Sequence, residues 1–377
     1  MIPYNKQTID ENDIASVIKT MRSDYITRGE KTKEFEEAIA EYCDVKYAVT
    51  FNSGTSALLA AYKALAISGK YQMITTPITF CSAVNTAILA NATPRFADIH
   101  LENGLMDEDD VKGMVDRKTS LIVPMDYGGH PCNMEKISKM AEENSLFVIE
   151  DACHSLGATY KGKKVGSFAD MTIFSLHAIK TITTGEGGIV ATDDKNYCER
   201  LERFRNHGLV KTDKWMYPYD LEELGLNFHM TEIQAALGLS QLKKIDEFCK
   251  KRRYIASKYA RHLSKINDMI TLPKEKKDVF SSYHLYPIRL KVDLNRDWII
   301  DRLRKRKIIA AVHYVPVYWL SWYVENYNGA TNCPKAEEFY RTEISLPCYP
   351  SMYDEDIEYV ATSLKEIINE LKISKYY

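Results

Sequence analysis

The sequence predicts an α/β fold: a large domain on a mainly parallel, mixed sheet in an α/β/α sandwich, followed by a smaller α+β domain. Three observations lead there. Strand-like apolar runs alternate with helical patterns through the first two-thirds of the chain, as in a parallel sheet covered on both faces. The texture changes near residue 245, where a long amphipathic stretch with a charged face begins. The 377 residues are too many for one small core and suit a large domain with a smaller companion. The expected boundaries are 1–245, including the N-terminal arm, and 246–377.

Taken in order, YAVTF (47–51) reads as a strand and NSGTSALLAAYKALA after it as a helix, its alanines and leucines favouring that state. QMITTP (72–77) is a strand and SAVNTAILA an apolar helix. TPRFADI (93–99) and TSLIVPMDY (119–127) are two further strands. MEKISKMAEEN repeats its apolar residues at helical spacing, and SLFVIED (145–151) follows as a buried strand. MTIFSL (171–176) and GGIVATDD (187–194) are separated by a short loop, which suggests an antiparallel excursion. Beyond residue 245, LKKIDEFCKKRRYIASKYARHLSKI is expected as one long helix. SYHLYPIRLKV and IIAAVHYVPV are expected as strands, and DEDIEYVATSLKEIINELKI as a closing helix.

Composition narrows the function classes. Hydrophobic residues make up 45% and charged residues 27%, an ordinary globular balance. A net charge of −2 gives no bias toward nucleic acid or an anionic membrane. No apolar run is long enough to span a bilayer, and MIPYNKQTIDENDIASVI lacks the basic-then-apolar order of a signal peptide. The cysteines stand singly, at positions 43, 81, 132, 153, 198, 249, 333 and 348, without a CxxC pair. Free thiols in a reducing cytosol are expected, with neither a disulfide framework nor a metal site.

Chemistry gathers at four places. In FNSGTSAL a strand ends in Asn-Ser-Gly-Thr-Ser and enters a helix, which offers an anion cradle at the positive end of the dipole. Ordinary N-capping by Ser53 or Thr55 reads the same residues equally well. Asp151 closes a buried strand in VIEDACHSLGA, where open α/β sheets bind ligands, although a cap would also explain it. His154 by itself reads as a packing histidine. Lys180, in SLHAIKTITTGEGG, sits among Leu176, His177 and Ile179, so partial desolvation favours its neutral amine.

Two near-miss motifs are set aside. GATYKGKK (157–164) resembles a P-loop, but Lys164 replaces the Ser or Thr and no strand precedes it. GEGG (185–188) lacks a third glycine at dinucleotide spacing and leads into a strand. An anion cup, a carboxylate at a strand end and an isolated lysine together match a pyridoxal phosphate site. There a lysine forms a Schiff base with the aldehyde, a carboxylate keeps the pyridinium protonated and the cup holds the phosphate.

Nearly the whole chain then resembles the DegT/DnrJ/EryC1/StrS sugar aminotransferases, a fold-type-I pyridoxal phosphate family. The anchors are FNSGTSAL, TTPITFCSAVNTAILANATPRFADI, DYGGHP, EDACHSLGA, SLHAIK, GEGG, RNHG and LGLNFHMTEIQAALGLSQL. The resemblance implies Lys180 as Schiff-base lysine and proton shuttle, and Asp151 on the pyridine nitrogen. It implies Phe80 stacked on the ring, His154 beside the ring hydroxyl, and Gly54, Thr55 and Ser175 on the phosphate. Asn227 would reach the phosphate of the neighbouring subunit, so a homodimer with shared sites is expected. Tyr4, the segment Asp24, Tyr25, Ile26 and Thr27, and His313 with Tyr314 would line the sugar-nucleotide pocket.

His177 before the lysine resembles members that aminate carbon 4 of UDP-keto-sugars. The implied activity is transfer of an amino group from L-glutamate to UDP-4-keto-6-deoxy-N-acetyl-β-L-altrosamine, on the route to pseudaminic acid. Carbon-4 amination of another UDP-, dTDP- or GDP-linked keto-sugar is the alternative. A sugar dehydratase or a non-catalytic regulator of the same fold would lack the lysine. Two departures stand out: His229 replaces a frequent arginine and makes any ionic contact there pH-dependent, and Asp24 replaces a basic or neutral residue at the diphosphate end.

Overall fold

Runs such as Val49–Phe51 and Ile149–Asp151 are buried on both faces, as strands between two helical layers must be. The computed structural model describes residues 1–213, 216, 218–291, 294–327 and 331–374. Two helices, α1 (Glu11–Met21) and α2 (Glu30–Cys43), precede the first strand. The strands are β1 (Tyr47–Phe51), β2 (Tyr71–Thr75), β3 (Ala92–Phe96), β4 (Thr119–Val123) and β5 (Phe147–Asp151). The hairpin β6 (Thr159–Tyr160) and β7 (Lys163–Lys164) follows, then β8 (Met171–Ser175) and β9 (Gly188–Thr192). Between them lie α3 (Gly54–Ala64), α4 (Ser82–Leu89), α5 (Glu108–Met114) and α6 (Met134–Asn144).

Seven strands form one sheet in the order β1-β9-β8-β5-β4-β2-β3. In that sheet β9 pairs antiparallel with both β8 and β1, and the other strands run parallel. The antiparallel excursion expected after MTIFSL is therefore β9. Parallel strands bring their carboxyl ends to one edge, so the loops leaving β1, β2, β4, β5 and β8 converge there.

The chain continues through α7 (Lys195–Arg205), the ribbon β10 (Leu209–Lys211) and β11 (Tyr219–Leu221), and α8 (Glu232–Leu242). Next comes α9 (Ile245–Leu263). The single long helix expected here is thus divided between α8 and α9, because Lys243 and Lys244 close one and open the other. The second sheet joins β12 (Ile270–Thr271), β14 (Tyr286–Leu290) and β15 (Glu343–Leu346); β13 (Val279–Phe280) extends the β6–β7 hairpin. Helices α10 (Arg296–Lys305), α11 (Ser321–Asn326), α12 (Pro334–Thr342) and α13 (Asp354–Ser374) complete the described fold.

The second sheet has its own core, in which Ile255, Tyr259, Ile288, Ile344, Leu364 and Ile368 pack with Ile2. The first residues thus cross to the C-terminal core, where Ile2 bridges Ile308. The strand expected at IIAAVHYVPV does not form; the segment makes only isolated bridges, Ile308 with Ile2 and Ala311 with Ser345. Side chains capture the backbone instead: the Tyr127 hydroxyl donates to the His313 carbonyl at 2.6 Å, and His313 N–H donates to Glu343. GATYKGKK, the rejected P-loop, is the β6–β7 hairpin, turning at Lys161 and Gly162 with positive φ.

Candidate active site

A cavity of about 590 Å³ opens at the convergent edge of the large sheet. Lys180, Asp151, His154, Gly54, Thr55 and Ser175 all line it, together with Phe80, Tyr4, His313 and Tyr314. Residues far apart in sequence meet because β1, β5 and β8 are near neighbours that end at one level.

The anion cup forms at the start of α3. Ser53 caps the helix, accepting from Ser56 N–H at 3.1 Å, while the Ser56 hydroxyl accepts from Ser53 N–H. The capping reading therefore holds, through Ser53 rather than Thr55. The cap leaves the N–H groups of Gly54 and Thr55, which have no intrahelical acceptor, on the cavity wall. A Cβ at Gly54 would lie 3.2 Å from the Ser175 side chain, so the glycine lets that hydroxyl join the cup.

The glycines after Lys180 serve the same place. A Cβ on Gly188 would lie 2.3 Å from the Ser53 carbonyl, so the start of β9 passes directly beneath the cup. Gly187 meets Thr184 equally closely, and Gly185 turns with φ +80°. Leu176 N–H donates to the Gly187 carbonyl and Thr184 N–H to the Leu176 carbonyl, closing the lysine loop on itself.

Burial lowers the pKa of Lys180, opposed by Cys153 and Asp151, which favours the free amine. Burial raises that of Asp151; the amide and thiol of Cys153, and Lys180, pull the other way. The amide lies at 3.2 Å, so neither Cys153 group is a strong partner for a buried carboxylate. That deficit suits a protonated pyridine nitrogen, and the cup suits a phosphate, so the residues present fit pyridoxal phosphate.

His154 is almost wholly buried. Its Nδ1 accepts from Gly128 N–H at 3.3 Å, and its Nε2 lies 3.1 Å from the Tyr314 hydroxyl. Burial, then Lys180 and His313, hold the ring neutral. Nε2 consequently carries the proton and donates to Tyr314, leaving the phenol proton for another partner. The Phe80 ring is 58% exposed and tilted against Tyr314 at 6.2 Å.

Five expected residues lie outside this cavity. Asp24, Tyr25, Ile26 and Thr27 are exposed at the foot of α8, where Thr27 bridges Thr231 and Glu232 N–H donates to the Ile26 carbonyl. Asn227 is exposed and pairs with Asn206. The departure at His229 also resolves: burial, Arg205 and Arg28 lower its pKa to about 4, and Asn206 binds the ring at 3.1 Å. His229 is therefore neutral at physiological pH.

His284 was given no role from sequence, yet it lines the cavity with its ring 4.3 Å from that of His154. Ser53, Cys153 and Glu186 join it. SYHLYPI held His284, but no spacing links it to His154.

The family model described as DegT/DnrJ/EryC1/StrS aminotransferase family matches residues 7–365. The UDP-4-amino-4,6-dideoxy-N-acetyl-beta-L-altrosamine transaminase of Campylobacter jejuni is 39% identical over 377 residues, covering 99% of each chain. Helicobacter pylori PseC, an aminotransferase involved in the biosynthesis of pseudoaminic acid, superposes with a TM-score of 0.93 at 38% identity, covering 98% of this chain and 99% of its own. A Streptococcus pneumoniae chain solved in PMP form superposes with a TM-score of 0.93 at 29% identity over 98% of this chain and all of its own, and a PLP form is also known. This chain belongs to the DegT/DnrJ/EryC1/StrS aminotransferase family and is a pyridoxal phosphate-dependent nucleotide-sugar aminotransferase.

Proposed function

We propose that this enzyme moves the amino group of L-glutamate to carbon 4 of UDP-4-keto-6-deoxy-N-acetyl-β-L-altrosamine. The observation that carries the reading is Lys180, a partly desolvated amine sharing one cavity with a buried carboxylate and an open helix N-terminus. The substrate follows from the activity in the name of the C. jejuni relative and from His177 before the lysine.

Gly54, Thr55 and Ser175 would hold the cofactor phosphate, Asp151 the pyridine nitrogen, and Phe80 and His154 would flank the ring. When bound, pyridoxal phosphate supplies an electron sink that stores the amino group between donor and acceptor. The Lys180 amine takes the proton from the α-carbon of glutamate and, in the second half-reaction, delivers one to sugar carbon 4. Tyr4, His313 and Tyr314 orient the sugar nucleotide.

The working unit is a two-fold homodimer in the cytosol, each chain divided into units 1–245 and 246–377. Exposed Ile14, Ile18 and Met21 along α1, Tyr25 in the loop after it, and Leu224 and Leu226 beside Asn227 support an interface on this side. Asn227 and the Asp24–Thr27 segment, outside their own chain's cavity, would serve the partner's.

The test is incubation with glutamate and a panel of UDP-, dTDP- and GDP-linked 4-keto sugars, with the product identified by NMR. The altrosamine-derived keto sugar should turn over best and Lys180→Ala should give no product. Preference for another keto sugar would overturn the substrate, and turnover by Lys180→Ala would overturn the role of the lysine.

A further inference from the structure

Behind His313 lies a second set of polar groups that the aminotransferase reading does not use. Glu343 and Ser345 lie on one face of β15, two residues apart, and both are fully buried. His313 N–H donates to Glu343 Oε2 at 2.9 Å. The Ser345 hydroxyl lies 2.5 Å from Glu343 Oε1 and 2.8 Å from His313 Nδ1. Backbone pairing of Ala311 with Ser345 and the Tyr127 hydroxyl on the His313 carbonyl fix the loop against the strand. The ring lies among Tyr4 and Tyr314 on the cavity wall, and no protein group among the described residues bonds its Nε2.

We propose that His313, Ser345 and Glu343 form a proton wire from the substrate cavity to a buried carboxyl, in which Glu343 and Ser345 are positioning residues that set the hydrogen-bonding polarity of His313 Nε2. The inference rests on the reading of this cavity as the aminotransferase site. Burial, then Lys180, holds the pKa of His313 down to about 4, so the ring is neutral and carries one N–H. With Glu343 ionised, the Ser345 hydroxyl donates to Oε1 and accepts from Nδ1–H, leaving Nε2 a bare acceptor. With Glu343 protonated, its O–H donates to Ser345, whose hydroxyl donates to Nδ1, and Nε2–H becomes a donor. Each state satisfies every atom from Nδ1 to the carboxyl and leaves Nε2 to the cavity.

The two states differ by a balanced proton movement. A cavity group gives a proton to Nε2, the Nδ1 proton passes to the Ser345 oxygen, and the Ser345 proton passes to Glu343 Oε1. The imidazole stays neutral and the charge of the carboxylate passes to the cavity group. A keto oxygen requires a donor, whereas an amino or hydroxyl group can use an acceptor, so the wire lets one residue meet both keto substrate and amino product.

Burial pushes Glu343 up to about 8, opposed by Ser345, His313 N–H and Arg296 of α10. Tyr127 and Tyr314 also face it, and Arg289 of β14 stands opposite in register. Both states are therefore populated near neutral pH.

The test is ¹⁵N NMR of imidazole-labelled holoenzyme, with His313→Asn used to assign the His313 signals. The proton should reside on Nε2 at low pH and move to Nδ1 as pH rises through about 8. Glu343→Gln, whose amide can donate only in one sense here, should hold Nε2–H from about pH 6.5 to 9.5. Ser345→Ala should uncouple the ring and Ser345→Thr should restore the change. In aminotransfer assays, the same ionisation should vanish from the kcat/KM profile of Glu343→Gln and persist in Ser345→Thr. A wild-type His313 that keeps one tautomer throughout, or shifts identically in Glu343→Gln, overturns the wire. A tautomer change without aminotransfer supports the wire and overturns the assigned activity.

Discussion

Asp151 and Lys180 show how burial prepares single residues. Neither has an ordinary pKa, because each has lost water, and each is the other's charged neighbour in the cavity. Asp151→Asn should still bind cofactor but cannot keep a pyridine nitrogen protonated. Its kcat should fall by roughly 10²–10³, or about 2.7–4 kcal/mol of transition-state stabilisation. Steady-state rates near wild type would leave Asp151 only its turn with Cys153.

Glu343 gives a pH-dependent stability. Its folded pKa is raised from 4.5 to about 8, so its stabilising contribution is full below about 4.5 and is lost as pH rises toward 8. Glutamine cannot titrate. The stability difference should therefore move toward Glu343→Gln by up to about 1.4 kcal/mol per pH unit across that window. Urea unfolding of both proteins at pH 5 and 7.5 checks this, and an unchanged difference would place the carboxyl in its ordinary range. The neutral histidines His154, His284 and His313 act in the opposite sense, losing stability as pH falls below about 6.5. Only the comparison of variants isolates one linkage.

At the scale of elements, the catalytic edge depends on how closely β9 passes beneath α3. Gly188→Ala would drive a methyl group against the Ser53 carbonyl and the Gly54 nitrogen, both backbone atoms that cannot rotate away. The expected cost is about 1–3 kcal/mol of stability, with weaker pyridoxal phosphate binding because the cup itself must shift. Gly185→Ala is the control. Its Cβ meets nothing within 4 Å, so only the left-handed backbone opposes it, at about 1 kcal/mol, and cofactor affinity should hold. Equal cofactor affinities in the two variants would show that β9 does not set the cup.

At the scale of the molecule, the exposed Asn227 and Asp24–Thr27 segment are the residues through which the proposed two-fold dimer would share its sites. In a two-fold dimer each contact occurs twice. Lys180→Ala and Asn227→Ala chains, each impaired alone, should therefore complement when mixed. A heterodimer has one doubly damaged site and one intact site, so activity should recover to roughly half of native per dimer if the subunits do not couple. Failure to complement in verified heterodimers would assign Asn227 to its own subunit's site, and a fully active monomer would end the shared-site reading.

Much of this was legible in the chain. Apolar runs alternating with helical spacing point to a mainly parallel sheet, because strands covered by helices on both faces are apolar throughout; antiparallel β9 is buried in the same way. The strand end carrying Asp151 and the NSGTS cup could be read as ligand positions, since parallel strands share one functional edge, whereas Ser175 came only with the family resemblance. Lys180 was visible by its apolar neighbours and the glycines after it. Tertiary structure alone decided the rest. IIAAVHYVPV has strand-forming residues, yet Tyr127 and Glu343 take its backbone groups, and a local pattern holds no information about distant competitors. The same holds for His284, brought against His154 by the packing of two cores, and for the chain from His313 to Glu343. Burial and partner geometry fix the protonation of those groups, and both are properties of the folded surroundings, absent from the residues taken one by one.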